Sequence, residues 1–337
     1  MKNKKDELNI LDRNYSSYLK GIAAVFIMIG HFLPKDVPIV ISFFFSGSLW
    51  VGIFFFYSGY GLYESLNHNN IVITSFCKKK IKKVYIPYIF ANVLYYFCNI
   101  GLKNSAFDFR EFILVFLGIK LANPILWYVL HLIVIYAIFI LLQKVLNTYK
   151  NIEFLWIIIY FTYLITSVIL DIGNWWYIST FAFIVGIFFH HHKLYCKKLI
   201  KNKFFDFLII NCFIIIYFLL KYIELFNFNK IAFIPINYVI TLMYMILVPL
   251  FIIFVAIIIN LFKIEIENKF LIFLGSISYE IYLFHNICRL ILTSWFYESL
   301  NPMLLIILEI IFSVLISIFI KKFKNNIENL FYRWRKE

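Results

Sequence analysis

The chain has 337 residues, 63% hydrophobic, 21% aromatic and 15% charged, whereas a soluble domain carries about 25% charged residues. That apolar excess needs lipid to bury it, which excludes a soluble globular enzyme. The formal charge of +14 falls in short basic blocks between apolar runs. This is the layout of membrane-flanking loops, so no nucleic acid is expected as a partner.

Apolar runs of spanning length lie near 15–33, 40–66, 84–102, 125–146, 153–171, 174–191, 204–222, 237–262, 270–296 and 303–320. The expected fold is an all-α polytopic membrane protein of about ten transmembrane helices, a single domain over 1–337 with short basic cytoplasmic ends at 1–14 and 321–337. The basic N-terminus precedes an apolar run longer than a signal h-region, so the first span is read as uncleaved. With the N-terminus inside, 24 of the 32 Lys and Arg fall on the inner side and six on the outer. Both termini are therefore expected in the cytoplasm. The patch 109–120 is too short to span and is expected to be interfacial or re-entrant. The five cysteines, Cys77, Cys98, Cys196, Cys212 and Cys288, show no CxxC and no paired spacing, which points to reduced packing residues.

In the first span, Lys20 and His31 are eleven residues apart. At 100° per residue they share one stripe, about 16 Å apart along the axis. Ionisable groups at membrane depth mark functional sites by default. A buried imidazole stays neutral and can serve as a base or a nucleophile.

The second span ends in Phe54-Phe55-Phe56-Tyr57-Ser58-Gly59-Tyr60-Gly61-Leu62, whose small residues permit close helix approach. Next come Lys78, Lys79, Lys80, Lys82 and Lys83, then Pro87-Tyr88. This is a positive-inside block, and it also reads as a cradle for an anionic donor. The fourth span opens on Trp127-Tyr128, a pair that interfacial anchoring alone would explain. His131 lies one turn below Trp127 on the same face. His190-His191-His192 invites a metal reading, but consecutive helical residues do not face one ion and no acidic residue is near in sequence, so no metal is expected. In the ninth span, Ser278, Tyr282 and His285 fall at i, i+4 and i+7, a polar stripe that must face protein or water. Arg289 lies one turn beyond and needs an acidic or phosphate partner.

These segments together resemble the acyltransferase-3 family of integral membrane acyltransferases. The matches are Lys20 through His31, the Phe-Phe-x-x-Ser-Gly-Tyr stretch at Phe54–Tyr60, and Lys79, Lys80 and Lys83 ahead of Pro87-Tyr88. Leu126-Trp127-Tyr128 and Gly275 through His285 complete them. The family usually has Arg in the basic block; here it is all lysine.

The resemblance implies transfer of an acyl group, commonly acetyl, from acyl-CoA to a hydroxyl of a cell-envelope carbohydrate such as a capsule, exopolysaccharide or O-antigen glycan. Acetyl-CoA would be a co-substrate, with no cofactor held permanently. The partners would be acyl-CoA, an envelope glycan or lipid-linked sugar, and the bilayer of a bacterial inner membrane. His31 and Lys20 would be the catalytic pair. Lys79, Lys80, Lys83, Ser58 and Tyr60 would hold the donor. Trp127, Tyr128, Ser278, Tyr282, His285 and Arg289 would line the acceptor side. The competing reading is a polytopic transporter or flippase of envelope precursors. Against it stand the absence of Gly/Pro-broken helices in corresponding halves and the scarcity of intramembrane acids.

Overall fold

The computed structural model describes residues 11–334 except 34–37, 39–40, 42–43, 69–72, 104–105, 146–151, 201, 227–229, 232–233, 263, 265–267 and 297–299. Of the expected basic ends 1–14 and 321–337, residues 1–10 and 335–337 lie outside the described residues, and 321–334 are helical. Helices occupy each of the ten apolar runs. They are α1 Arg13–Phe32, α2 Gly47–His68, α3 Ile73–Lys80, α4 Ile86–Lys103, α5 Phe109–Phe116, α6 Trp127–Val145 and α7 Ile152–Ile169. Then come α8 Phe181–His191, α9 Lys193–Leu199, α10 Lys203–Phe226, α11 Ile236–Leu261, α12 Lys269–Ser276, α13 Ser278–Phe296 and α14 Pro302–Trp334. A two-residue antiparallel pair, Lys230–Ile231 with Ile234–Pro235, links α10 to α11.

Among the described residues, five helical segments are long and apolar enough to cross a membrane: Pro124–Gln143, Ile152–Ile169, Lys203–Glu224, Ile236–Leu261 and Met303–Lys324. The bent pair α12–α13 makes a sixth if taken as one span. Their outward faces are what lipid requires. Phe154, Ile158, Phe161, Ile165 and Ile169 form an exposed stripe on α7, as do Ile307, Ile311, Leu315, Phe319 and Phe323 on α14. Apolar stripes of that extent would be an association hazard in water.

Two expected spans take a different form. The run 174–191 is a 3-10 turn, Asn174–Trp176, followed by the 11-residue α8. At 1.5 Å per residue α8 is about 16 Å long. The turn is stable because the Trp176 carbonyl accepts from the Tyr163 and Thr180 hydroxyls. The run 270–296 breaks between Ser276 and Ser278, where α12 and α13 meet at 75°. The Ser278 hydroxyl donates to the Gly275 carbonyl at 2.9 Å and closes that corner.

The short patch 109–120 forms α5 and a tight return through Gly118, at φ +69°. Asp108 caps α5 by accepting from the Arg110 and Glu111 backbone N–H groups. The return is strapped to α4. Asn92 donates to the Val115 and Lys120 carbonyls and accepts from the Ala122 N–H, while the Tyr88 hydroxyl donates to the Gly118 carbonyl.

The helices around the site meet through glycine. α2 and α8 run parallel, Gly59 against the Phe183 carbonyl and Gly186 against the Phe56 carbonyl. α1 meets α12 with Gly21 on the Leu271 carbonyl and Gly275 on the Ser17 carbonyl. A Cβ at Gly275 would collide with rigid helix backbone. Gly275→Val should therefore lower the melting temperature of the detergent-solubilised protein, with a cost of about 1–3 kcal/mol. Gly61→Ala, whose Cβ would meet nothing within 4 Å, should not lower it. Equal behaviour of the two variants would contradict this packing.

Candidate active site

α1 and α13 bring two imidazoles together. The His31 and His285 rings stack with centroids 5.4 Å apart. His285 is wholly buried. Its Nδ1 lies 3.1 Å from the Ile281 carbonyl and 2.9 Å from the Tyr282 carbonyl. Carbonyls only accept, so Nδ1 carries the proton and Nε2 presents a bare lone pair. That buried Nε2 has no hydrogen-bond partner among the described residues. An orphaned acceptor in a membrane protein core is costly, and it marks a place where a ligand's donor belongs.

Arg289, one turn along α13, donates from its guanidinium to the His31 backbone carbonyl and lies over the Phe32 ring at 5.7 Å. It ties the backbone at the end of α1 to α13. An acidic or phosphate partner is expected for Arg289; buried Glu309 of α14 lies within its electrostatic reach.

From the histidine pair a row of tyrosines leads away. Tyr282 lies 6.1 Å from His285 and 5.3 Å from Tyr128, ring to ring. The Tyr282 hydroxyl donates to the Ile125 carbonyl, pinning α13 to the entrance of α6. The Tyr128 hydroxyl is 3.5 Å from Ser58 Oγ. Tyr279 is an electrostatic neighbour of Tyr128, Tyr136 and Tyr282 and donates to the Val84 carbonyl at 2.7 Å. At the far end Lys80 Nζ sits 3.9 Å over the Tyr136 ring. Lys20 Nζ lies 5.2 Å from the Tyr57 ring centroid and within electrostatic reach of Lys80. The arrangement is two cations at one end, two histidines at the other, and tyrosines between.

Seven of the residues expected from sequence thus share one neighbourhood: His31, His285, Arg289, Tyr282, Tyr128, Ser58 and Trp127, which packs on Tyr128 at 6.3 Å. Lys20 and Lys80 hold the opposite end. The others are placed differently. Lys79 and Lys83 are exposed. Tyr60 turns to α8, 5.8 Å from the His190 ring and under Lys193 at 5.9 Å. Ser278 spends its hydroxyl on the corner at Gly275. The triple histidine meets carboxylates that are remote in sequence. His190 pairs with Glu64 at 3.3 Å, and His191 with Glu153 at 2.7 Å.

Sequence reasoning missed Tyr57 and Tyr279 as members of the row. Each adjoins a residue it had singled out, Ser58 and Ser278, but aromatic residues in apolar helices carry no one-dimensional mark that separates lining from packing.

A family model described as an acyltransferase domain, acyltransferase-3, matches residues 13–322. The chain therefore belongs to the acyltransferase-3 family, and with its apolar helices it is a membrane acyltransferase. No curated protein and no solved structure matches it.

Proposed function

We propose that the protein transfers an acetyl group from acetyl-CoA to a hydroxyl of a cell-envelope carbohydrate. The observation that carries this reading is the pair His31–His285, joined by a tyrosine row to Lys20 and Lys80. In this reading all ten apolar segments are embedded in a bacterial inner membrane, with both termini in the cytoplasm, as the Lys and Arg distribution favours.

The donor is long, thin and anionic at one end. Its phosphates meet Lys80 and Lys20 at the basic end, with exposed Lys79 and Lys83 attracting it from solution. The pantetheine arm runs along the tyrosines, whose hydroxyls can pair with its amides. The thioester then arrives at the histidines. His31 takes the proton of the acceptor hydroxyl as its oxygen attacks the thioester carbonyl. The new C–O ester bond forms, the C–S bond breaks, and the CoA thiolate leaves and takes up a proton. His285 Nε2, held as an acceptor, receives a hydrogen bond from the acceptor and orients it. Lys20 lies about 16 Å along the helix from His31, so its role is donor binding and not oxyanion stabilisation.

The test is purified protein with radiolabelled acetyl-CoA and crude envelope glycan. Label should enter the glycan as free CoA appears in equal amount. Lys80→Ala should raise KM for acetyl-CoA by roughly tenfold, the loss of a charge-assisted contact, while sparing kcat. Absence of both label transfer and CoA release over a panel of donors and acceptors would overturn the reading.

A further inference from the structure

We propose that a cavity between α6, α7 and α8 binds the hydrocarbon anchor of a lipid-linked acceptor, with a donor at the lipid's polar end bonded to His131. The proposal rests on the acyltransferase reading and narrows its acceptor to a lipid-linked hydroxyl compound.

The cavity has a volume of about 420 Å³, within the range of about 300–1,000 Å³ typical of small-molecule sites. Its two ends differ. At one, His131, Tyr163, Thr180 and Trp176 come together; at the other, Ile138, Trp156, Phe183 and Ile184 close it with apolar surface. From 131 to 138 on α6, and from 163 to 156 on α7, is about 10 Å. Half-exposed Val134 lies on its wall, and the lipid-facing stripe of α7 runs alongside. An apolar slot with one polar end, set in a membrane helix bundle, matches a lipid tail below a hydroxyl-bearing head.

The polar end is built around an unsatisfied acceptor. The Tyr163 hydroxyl donates to the Trp176 carbonyl at 3.1 Å. Its oxygen therefore receives the proton of His131 Nδ1, 3.2 Å away. That leaves His131 Nε2 a lone-pair acceptor; among the described residues the one hydrogen bond of this ring is the Nδ1 contact to Tyr163, and the residue is 7% exposed. Tyr160 and Thr180, the neighbouring hydroxyls, are already committed to the Tyr177 and Trp176 carbonyls. The vacancy on His131 thus calls for a donor from the occupant.

The cavity is one aromatic layer from the active site. Phe55 packs edge-on to His131 at 5.6 Å and to Tyr128 at 4.8 Å. A lipid seated with its head at His131 would carry its attached sugar to the mouth of the Tyr128–Tyr282 site. No such continuity exists for the exposed stripe of α7, where bulk lipid lies.

The test uses the full chain in phosphatidylglycerol nanodiscs with a diazirine-bearing C16 fatty alcohol, followed by light and peptide mapping. Labelling should be saturable, should map to Leu130, Ile159 and Tyr163, and should be competed by unlabelled hexadecanol. Ile159→Phe, which fills the cavity without adding a polar atom, should reduce it at least fivefold. His131→Leu should weaken labelling by the alcohol and leave labelling by the corresponding diazirine alkane unchanged. Label spread over Phe154, Ile158 and Ile165 without saturation would mean bulk lipid only and would overturn the proposal. Equal loss of alcohol and alkane in His131→Leu would remove the polar contact from it. Labelling needs no turnover, so a failed transfer assay and a failed labelling experiment are separate results.

Discussion

His31→Ala lowers kcat for acyl transfer by about 10²–10⁴, the usual contribution of a positioned general base. KM for acetyl-CoA should stay within a few-fold, because the proposed contacts of the donor's charged end are with Lys80 and Lys20, remote from His31. The variant should still extract as a single monodisperse species, since the Arg289 anchor uses the backbone carbonyl of residue 31 and not its ring. The same experiment separates a base from a nucleophile. With acceptor omitted, a general base leaves the protein unlabelled by radioactive acetyl-CoA. A covalent route would place label on His31 in the wild type. Full transfer by a stably inserted His31→Ala protein would remove this residue from the chemistry.

Much of the site was legible because helical period and chemistry coincide. Lys20 and His31 share a stripe, and Tyr282 and His285 share another, by arithmetic at 100° per residue. Helix existence was equally plain, since apolar length forces it. What the sequence hid was set by contacts distant along the chain. The corner at Ile277 interrupts a run that reads as one apolar helix, and its only local signs are the small residues Gly275, Ser276 and Ser278. The 174–191 run looked long enough to span. It yields an 11-residue helix because Tyr163 of α7 and Thr180, just ahead of α8, satisfy the carbonyl of Trp176, allowing the chain to turn. Glu64 and Glu153 meet the histidines of α8 from other helices, which a search for neighbours in sequence does not find. The lysine block was read as a unit, yet only Lys80 of the three matched lysines packs inward, over Tyr136. A positive-inside count has no term for direction around the helix.

His285→Gln decides which imidazole is the base. The two rings stack, and no hydrogen bond joins them among the described residues, so each keeps its own task. If His285 orients the acceptor, Gln still offers an accepting oxygen near the same place. The loss then falls on kcat/KM for the acceptor, roughly tenfold to a hundredfold, the scale of a disturbed buried hydrogen bond. If His285 were the base, Gln would supply no basicity, and the loss would fall on kcat and match that of His31→Ala. The double variant adds a second reading of the same question. Separate tasks make the two losses multiply, whereas residues acting as a unit cost little more together than singly. The lone pair fixed by the Ile281 and Tyr282 carbonyls favours a fixed acceptor, and the His31 ring, anchored only through its backbone, keeps the freedom to take a proton and release it. The expected pattern is therefore a kcat defect for His31→Ala, an acceptor defect for His285→Gln, and near-multiplicative loss in the pair. A kcat defect of 10³ or more in His285→Gln with an intact acceptor KM would exchange the two roles.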